Sequence, residues 1–415
     1  MKVQHLRFIS LSLTLLLVAA TMINLSGCAV KVQAANMMEG IAPNTVSGRK
    51  ADAKFIGSTA DFSLELFQRS LDPENNSLVS PLSVLLALAM TANGADTATL
   101  AEMEAVLGRD IPLTELNEYL YTYVDSLSSA SKAKFSIANS IWFRDCLRVE
   151  QEFLQTNADY YGAAAYRAAF DQQTLADINN WVKDNTDGMI DSILDEISAE
   201  AVMYLINAIA FDAEWKVIYN EHNIHQGEFT GADGNKQDAE FMRSEESQYI
   251  QTPLATGFIK PYADDKYSFV ALLPNEGIDI QDYLASLSGE NFLQALSGVV
   301  HTPVAATLPK FTYDYSVTLS DCLKALGMPT AFSARQADFN KMSKSQGLYI
   351  GEVMHKTFIS VDEKGTKAGA VTVVEMRATA LYETKEVILD RPFVYAIIDN
   401  ATNLPIFIGT VMNIQ

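Results

Sequence analysis

From Ser58 to Leu71 apolar residues recur at helical spacing (Phe62, Leu64, Leu66, Phe67, Leu71), which predicts a first helix. Ser80-Pro81 opens a second. The serine suits an N-cap, and the proline stands where no N–H is needed. Gly94 reads as its stop. Thr99-x-x-Glu102 has the spacing of a capping box for a shorter helix ending at Gly108. FSIANSIWF (135–143) reads as a strand, and 175–194 as an amphipathic helix that breaks at Asp187-Gly188. AVMYLINAIAFDAEW (201–215) is nearly all apolar, as a central strand covered on both faces would be. Residues 257–277 predict two strands around a polar turn. VAATLPKFTYDYSV (304–317) predicts one more, and LSDCLKALGM (319–328) a short helix. A last apolar strand pair flanks a turn at 400–403. Helices gather early and strands late, so the expected class is α+β.

One stretch fits this pattern poorly. DEKGTKAGAVTVVEMRATALYET (362–384) lies between two strand-like segments, VMHKTFISV and VILDRPFVYAII, and is long for a loop with so little punctuation. From Thr366, every second residue is uncharged: Thr366, Ala368, Ala370, Thr372, Val374, Met376. The other parity holds Lys367, Glu375 and Arg377. That is the pattern of a strand buried on one face. Yet Glu363-Lys364-Gly365 reads as a turn after a finished strand. Two readings stand: a loop that is also written as a strand, or a solvated hairpin arm with chance alternation.

The chain has 415 residues, 48% of them hydrophobic, ample for a large core. No linker or repeat interrupts residues 51–415, which predicts one domain. The formal charge of −21, with no basic run beyond the first residues, argues against nucleic acid as a partner. Lys2 and Arg7 precede an apolar core (8–23) and Leu25-Ser26-Gly27-Cys28. This has the form of a signal peptide (1–27). The Leu-Ser-Gly-Cys run resembles a bacterial lipobox, which implies acylation of Cys28 and a multi-chain membrane anchor facing the extracellular side. The alternative is an ordinary secretory signal and a soluble product. Residues 28–50 lack periodicity and read as a tether. Cys146 and Cys322 form no framework and read as buried free thiols.

Catalytic signatures are sparse. No GxSxG, HExxH or GxxxxGK[ST] is present. His222 and His225 form HNIH, which reads as a surface loop sooner than a metal pair, and His301 stands alone in apolar surroundings. No cofactor and no metal are expected. Trp142, Trp181 and Trp215 read as core. Ser80, Ser83, Asn207 and His355 are polar residues in segments otherwise written as core, and buried polar groups need partners. They read as one structural network. A Ser-His hydrolase is the sharper alternative, but no nucleophile elbow or orienting acid accompanies them.

Taken together, the residues resemble the serpins, over nearly all of 55–415. Asn76-x-x-x-Ser80-Pro81-x-Ser83 with Gly94-Ala95 looks like that family's early helix. Asn207 and Trp215 look like its central strand and the tryptophan at its breach. Pro309-Lys310-Phe311, Leu326-Gly327-Met328, Ala337-Asp338-Phe339, His355-Lys356 and Asp390-Arg391-Pro392-Phe393 match further markers. The resemblance implies helices packed on three β-sheets, with an exposed reactive-centre loop at about 363–385. It implies no enzyme. The protein would be a suicide substrate whose cleaved loop inserts into the main sheet and traps a target serine protease as a covalent acyl-enzyme. Glu363, Gly365, Thr366, Ala368 and Ala370 would form the hinge, and Ser80, Ser83, Asn207 and His355 the shutter. Lys367 and Gly369 depart from the family's usual hinge; Lys367 lies on the solvent parity.

Counting from Glu363 puts the scissile bond at Thr379–Ala380. Counting back from Pro392 lands near Leu381. Ala378, Thr379 and Ala380 suit an elastase-like or subtilisin-like protease. Arg377 would serve a trypsin-like enzyme, and Leu381 or Tyr382 a chymotrypsin-like one. The body is expected to be monomeric. A non-inhibitory serpin, acting as a binding or chaperone-like module, is the alternative.

Overall fold

The structure, a computed structural model, describes residues 32–128, 133–198, 200–345, 347–366 and 384–414. The helices, in chain order, are α1 (Ala53–Arg69), α2 (Pro81–Ala92), α3 (Thr97–Leu107), α4 (Leu113–Ser128), α5 (Gln151–Tyr161), α6 (Gln172–Asn185), α7 (Ile280–Ser286), α8 (Gly289–Ser297) and α9 (Ser320–Leu326). The strands are β1 (Ala35–Asn36), β2 (Ser77–Val79), β3 (Lys134–Arg144), β4 (Ala164–Ala168), β5 (Met203–Glu214), β6 (Ile224–Thr230), β7 (Lys236–Gln251) and β8 (Ala255–Pro261). They continue with β9 (Tyr267–Pro274), β10 (Val300–Pro309), β11 (Phe311–Thr318), β12 (Met354–Val361), β13 (Gly365–Thr366), β14 (Lys385–Ile388), β15 (Phe393–Asp399) and β16 (Pro405–Val411).

The main sheet runs β1-β4-β3-β5-β13-β12-β11, and a second ladder runs β14-β10-β7-β8-β9-β15-β16-β2, with β6 also on β7. The expected three sheets are present, two of them continuous through the 16-residue β7. α2 is buried on nearly every face and packs against both β5 and β16, so it is the layer between the sheets. Its Ser80 N-cap accepts from the Ser83 amide, as the Ser-Pro pair predicts.

Five expectations change. The residues 304–317 are two strands in different sheets: Pro309 closes β10 opposite Phe241, and Phe311 opens β11 opposite Val361. Asp96, not Thr99, caps α3. Thr99 instead accepts from the Asp338 amide, and Glu102 takes the amide and hydroxyl of Thr330. Cys146 is exposed, while Cys322 is buried as expected. His301 is exposed beside a bulge in β10. The segment read as a tether is docked from Val32 onward. Gln33 and Ala34 donate their amides to the buried Asp177 carboxylate, both at 2.9 Å, β1 pairs with β4, and Arg49 reaches Glu115 and Glu118. Cys28 and the signal segment 1–27 lie outside the described residues. No described helix is long and apolar enough to cross a membrane.

Candidate functional site

The turn read from Glu363-Lys364-Gly365 is an Asx turn. Asp362 Oδ1 accepts the amides of Lys364 (2.8 Å) and Gly365 (3.1 Å), and the Asp362 amide returns to Gly365 O at 3.0 Å. The chain then reverses into β13, antiparallel to both neighbours: Gly365 faces Glu214, and Thr366 faces Ala213 on β5 and Val361 on β12. A Cβ at Gly365 would stand 2.1 Å from Ala213 O, so this approach requires glycine. Below β13, among the described residues, no strand pairs with the facing edges of β5 and β12.

Trp215 is the anchor of this turn. Its amide donates to Lys364 O at 2.8 Å, its indole Nε1 to Asp362 O at 2.9 Å, and the nearby Tyr219 amide to Glu363 O at 2.9 Å. The indole stacks on Tyr262 at 4.6 Å, and Tyr262 Oη lies 2.6 Å from Thr366 Oγ1. Thr366 is therefore buried (3%) with its hydroxyl satisfied. Beneath them sits a charge in an apolar strand. Lys260, 1% exposed, lies 4.3 Å from the Tyr219 ring centre and 2.8 Å from Glu246 Oε1. At the rim, Glu363 pairs with Lys310 at 2.8 Å, and that hydrogen bond holds the Glu363 carboxyl below its ordinary range. Tyr262, Tyr219 and the Lys260–Glu246 pair were not found from sequence, and Lys310 was read only as a family marker, without its partner. Each partner is distant in the chain, so no local spacing marks it.

The structure brings Ser80, Ser83 and His355 together. Ser80 and Ser83 are buried, and the Ser80 amide donates to His355 Nε2 at 3.0 Å. Asn207 is on β5 opposite Asn139, but its side chain lies outside the described residues. His355, on β12, thus joins that strand to the start of α2. An imidazole that accepts a backbone amide, with Ser80 Oγ taking the Ser83 amide, is no arrangement for activating a serine. HNIH falls on a 3-10 turn (Glu221–Asn223) and β6, and no group of three or more potential metal ligands occurs among the described residues. Ala368, Ala370 and residues 377–382 lie outside the described residues.

Burial pushes His355 down to about 4 from an ordinary 6.5. The folded protein then holds the neutral ring, which the Ser80 amide requires. The resulting stability is full above pH 6.5 and is lost as pH falls from 6.5 towards 4, about 3 kcal/mol in all. The unfolding midpoint of the wild type should drop more between pH 7.5 and 4.5 than that of His355→Gln, whose amide oxygen can still accept from Ser80. Parallel pH profiles would show that His355 carries no such linkage.

A family model described as serpin (serine protease inhibitor) matches residues 57–414. The native state of tengpin, a thermophilic serpin, is 54% identical, covers 92% of this chain and all of its own, and superposes with a TM-score of 0.89. The latent state of tengpin gives 0.80 at 51% identity over 89% of this chain and all of its own. Human (Homo sapiens) neuroserpin is 29% identical over 85% of this chain and 90% of its own length.

Proposed function

The chain belongs to the serpin family, and from that premise we propose that it inhibits a serine protease by insertion of its cleaved loop between β5 and β12. The observation that carries this is β13: Gly365 and Thr366, at the loop's start, already pair antiparallel with β5, and Thr366 with β12 as well. If the same register continues, Ala368 comes opposite Phe211, Ala370 opposite Ile209 and Met376 opposite Met203, the first residue of β5. The buried parity set by Thr366 then takes only uncharged side chains, and Lys367, Glu375 and Arg377 stay in water. A charge on the buried parity would lack a partner, at a cost of several kcal/mol. Cleavage at Thr379–Ala380 would leave Thr379 three residues past the end of β5, so the acylated protease is carried the full length of the sheet. Its active site is distorted there, and deacylation stalls. Trapped, the loop forms the missing central strand, so the uncleaved fold is held kinetically.

The small residues at 378–380 fit an elastase-like or subtilisin-like target, with Arg377, Leu381 and Tyr382 as the competing attack sites. The lipobox at Cys28 fits a secreted lipoprotein held at the outer face of a membrane. The test is to mix the protein with a pancreatic-type elastase, run a denaturing gel and weigh the released fragment. A denaturant-stable complex and a C-terminal peptide beginning at Ala380 are expected. Clean cleavage without complex across elastase-, subtilisin-, trypsin- and chymotrypsin-like enzymes would reject trapping and favour a non-inhibitory binding module.

A further inference from the structure

We propose that the acyl anchor holds the protein upright, with the hinge-distal end of the main sheet at the bilayer and the hinge facing outward, so that trapping carries a protease toward the membrane. This rests on the lipoprotein reading of Cys28 and, for its last step, on trapping by insertion.

The argument begins with where the N-terminal segment meets the body. β1 pairs with Arg167 and Tyr166 of β4, these with Phe143 and Trp142 of β3, and these with Met203 and Tyr204 of β5. The docked segment is thus level with the first residues of β5, whereas the hinge pairs with Ala213 and Glu214, the last two. Eleven residue steps of β5 separate the two levels, about 36 Å at strand rise. The segment runs antiparallel to β4, from the hinge-distal end toward the hinge, so Val32 is its hinge-distal end.

The attachment is firm. Asp177, 2% exposed on α6, accepts both the Gln33 and Ala34 amides as well as Gln173 Nε2, and the Met37 amide continues the pairing to Ala165 O at 2.8 Å. Asn44 and Arg49 fix the segment further along. Only five residue steps join Cys28 to Gln33, a reach of at most ~17 Å. That is about half the separation of the two levels. A strongly acidic body (the full sequence carries −21, its signal segment only Lys2 and Arg7) is repelled by an anionic lipid surface, so a leash fixed at one end stretches and the far end stands off. In the register proposed above, Thr379 ends beyond Met203, on the anchored side. The protease would arrive at the outer pole and finish at the inner one.

The full lipidated chain would be placed in phosphatidylethanolamine/phosphatidylglycerol vesicles carrying a headgroup energy acceptor. One sample carries a donor dye on the exposed Cys146, just past β3 at the hinge-distal end; another carries it on Val217→Cys in a Cys146→Ser background, beside Trp215. Transfer to the bilayer several-fold stronger from position 146 is expected. A Gly/Ser insert of about twenty residues between Ala29 and Val30, with a root-mean-square span near 25 Å, should shrink that difference while leaving the docked segment alone. Failure to float with vesicles would overturn the anchor and the orientation together. Flotation with equal transfer, or stronger transfer from 217, would overturn the orientation with the anchor intact. Donor-labelled protease should then gain transfer as the covalent complex forms. Complex without that gain would overturn the inward step; cleavage without complex would overturn trapping, while the two dyes still report the orientation.

Discussion

Thr366→Arg is expected to convert the protein from an inhibitor into a substrate. Thr366 sits buried between β5 and β12 with its hydroxyl on Tyr262. The carboxylates described around this hinge, Glu363 and Glu246, are already engaged by Lys310 and Lys260. An unpaired buried charge costs several kcal/mol, so the arginine holds the hinge out of the slot. Protease attack on residues 377–382 is untouched, and deacylation then outruns insertion. Denaturant-stable complex should fall by at least about tenfold, since each 1.4 kcal/mol of added insertion barrier is a factor of ten in the partition. Cleavage of the loop should proceed at the wild-type rate. Thr366→Val, which keeps the shape but loses the Tyr262 contact, should cost far less. Undiminished complex with Thr366→Arg would count against insertion at this slot.

Trp215→Ala should have the largest effect on stability. The substitution removes a fully buried ring, its stack on Tyr262, its edge contact with Phe269 and the indole bond to Asp362 O. Large aromatic truncations of this kind cost about 3–5 kcal/mol, which for a chain of this size lowers the unfolding midpoint by on the order of 5–10 °C. The consequence differs from that of an ordinary core cavity, because the same side chain holds the turn that feeds β13. The variant should also lose inhibitory activity on storage faster than it unfolds. Trp215→Phe keeps one aromatic ring against Tyr262; it gives up the Nε1 bond, about 1 kcal/mol net, and the packing of the second ring. Thermal unfolding and timed activity assays of the two variants separate packing from hinge retention. Equal behaviour of alanine and phenylalanine would mean that the ring itself contributes little.

Much of this was legible because it is local. Ser80-Pro81 carries its own N-cap chemistry, the 393–411 strand pair its own turn, and the parity from Thr366 its own burial pattern. What escaped the sequence depends on partners far away. The break at Pro309–Lys310 is marked in the sequence by a single proline with no turn residues around it; Lys310 N–H on Glu240 O and the change of neighbours reveal it. Thr99-x-x-Glu102 had the correct spacing for a capping box, but Asp96 lies closer to the helix start, and tertiary contacts claim both other side chains. The docked N-terminal segment shows no periodicity because backbone amides on one carboxylate, rather than an apolar face, hold much of it. Lys260 lies in a segment read simply as a strand; that it meets Glu246 and two aromatic rings is a property of the fold.

The most direct test of insertion is the unfolding midpoint of the protein before and after its loop is cut by a protease that it does not trap. A strand of about ten residues added between β5 and β12 gains hydrogen bonds on both edges, each worth about 1 kcal/mol net, so the cleaved protein should melt on the order of 20 °C higher. An unchanged or lower midpoint after complete cleavage would mean that the loop does not enter the sheet, and the proposed mechanism would fall with it.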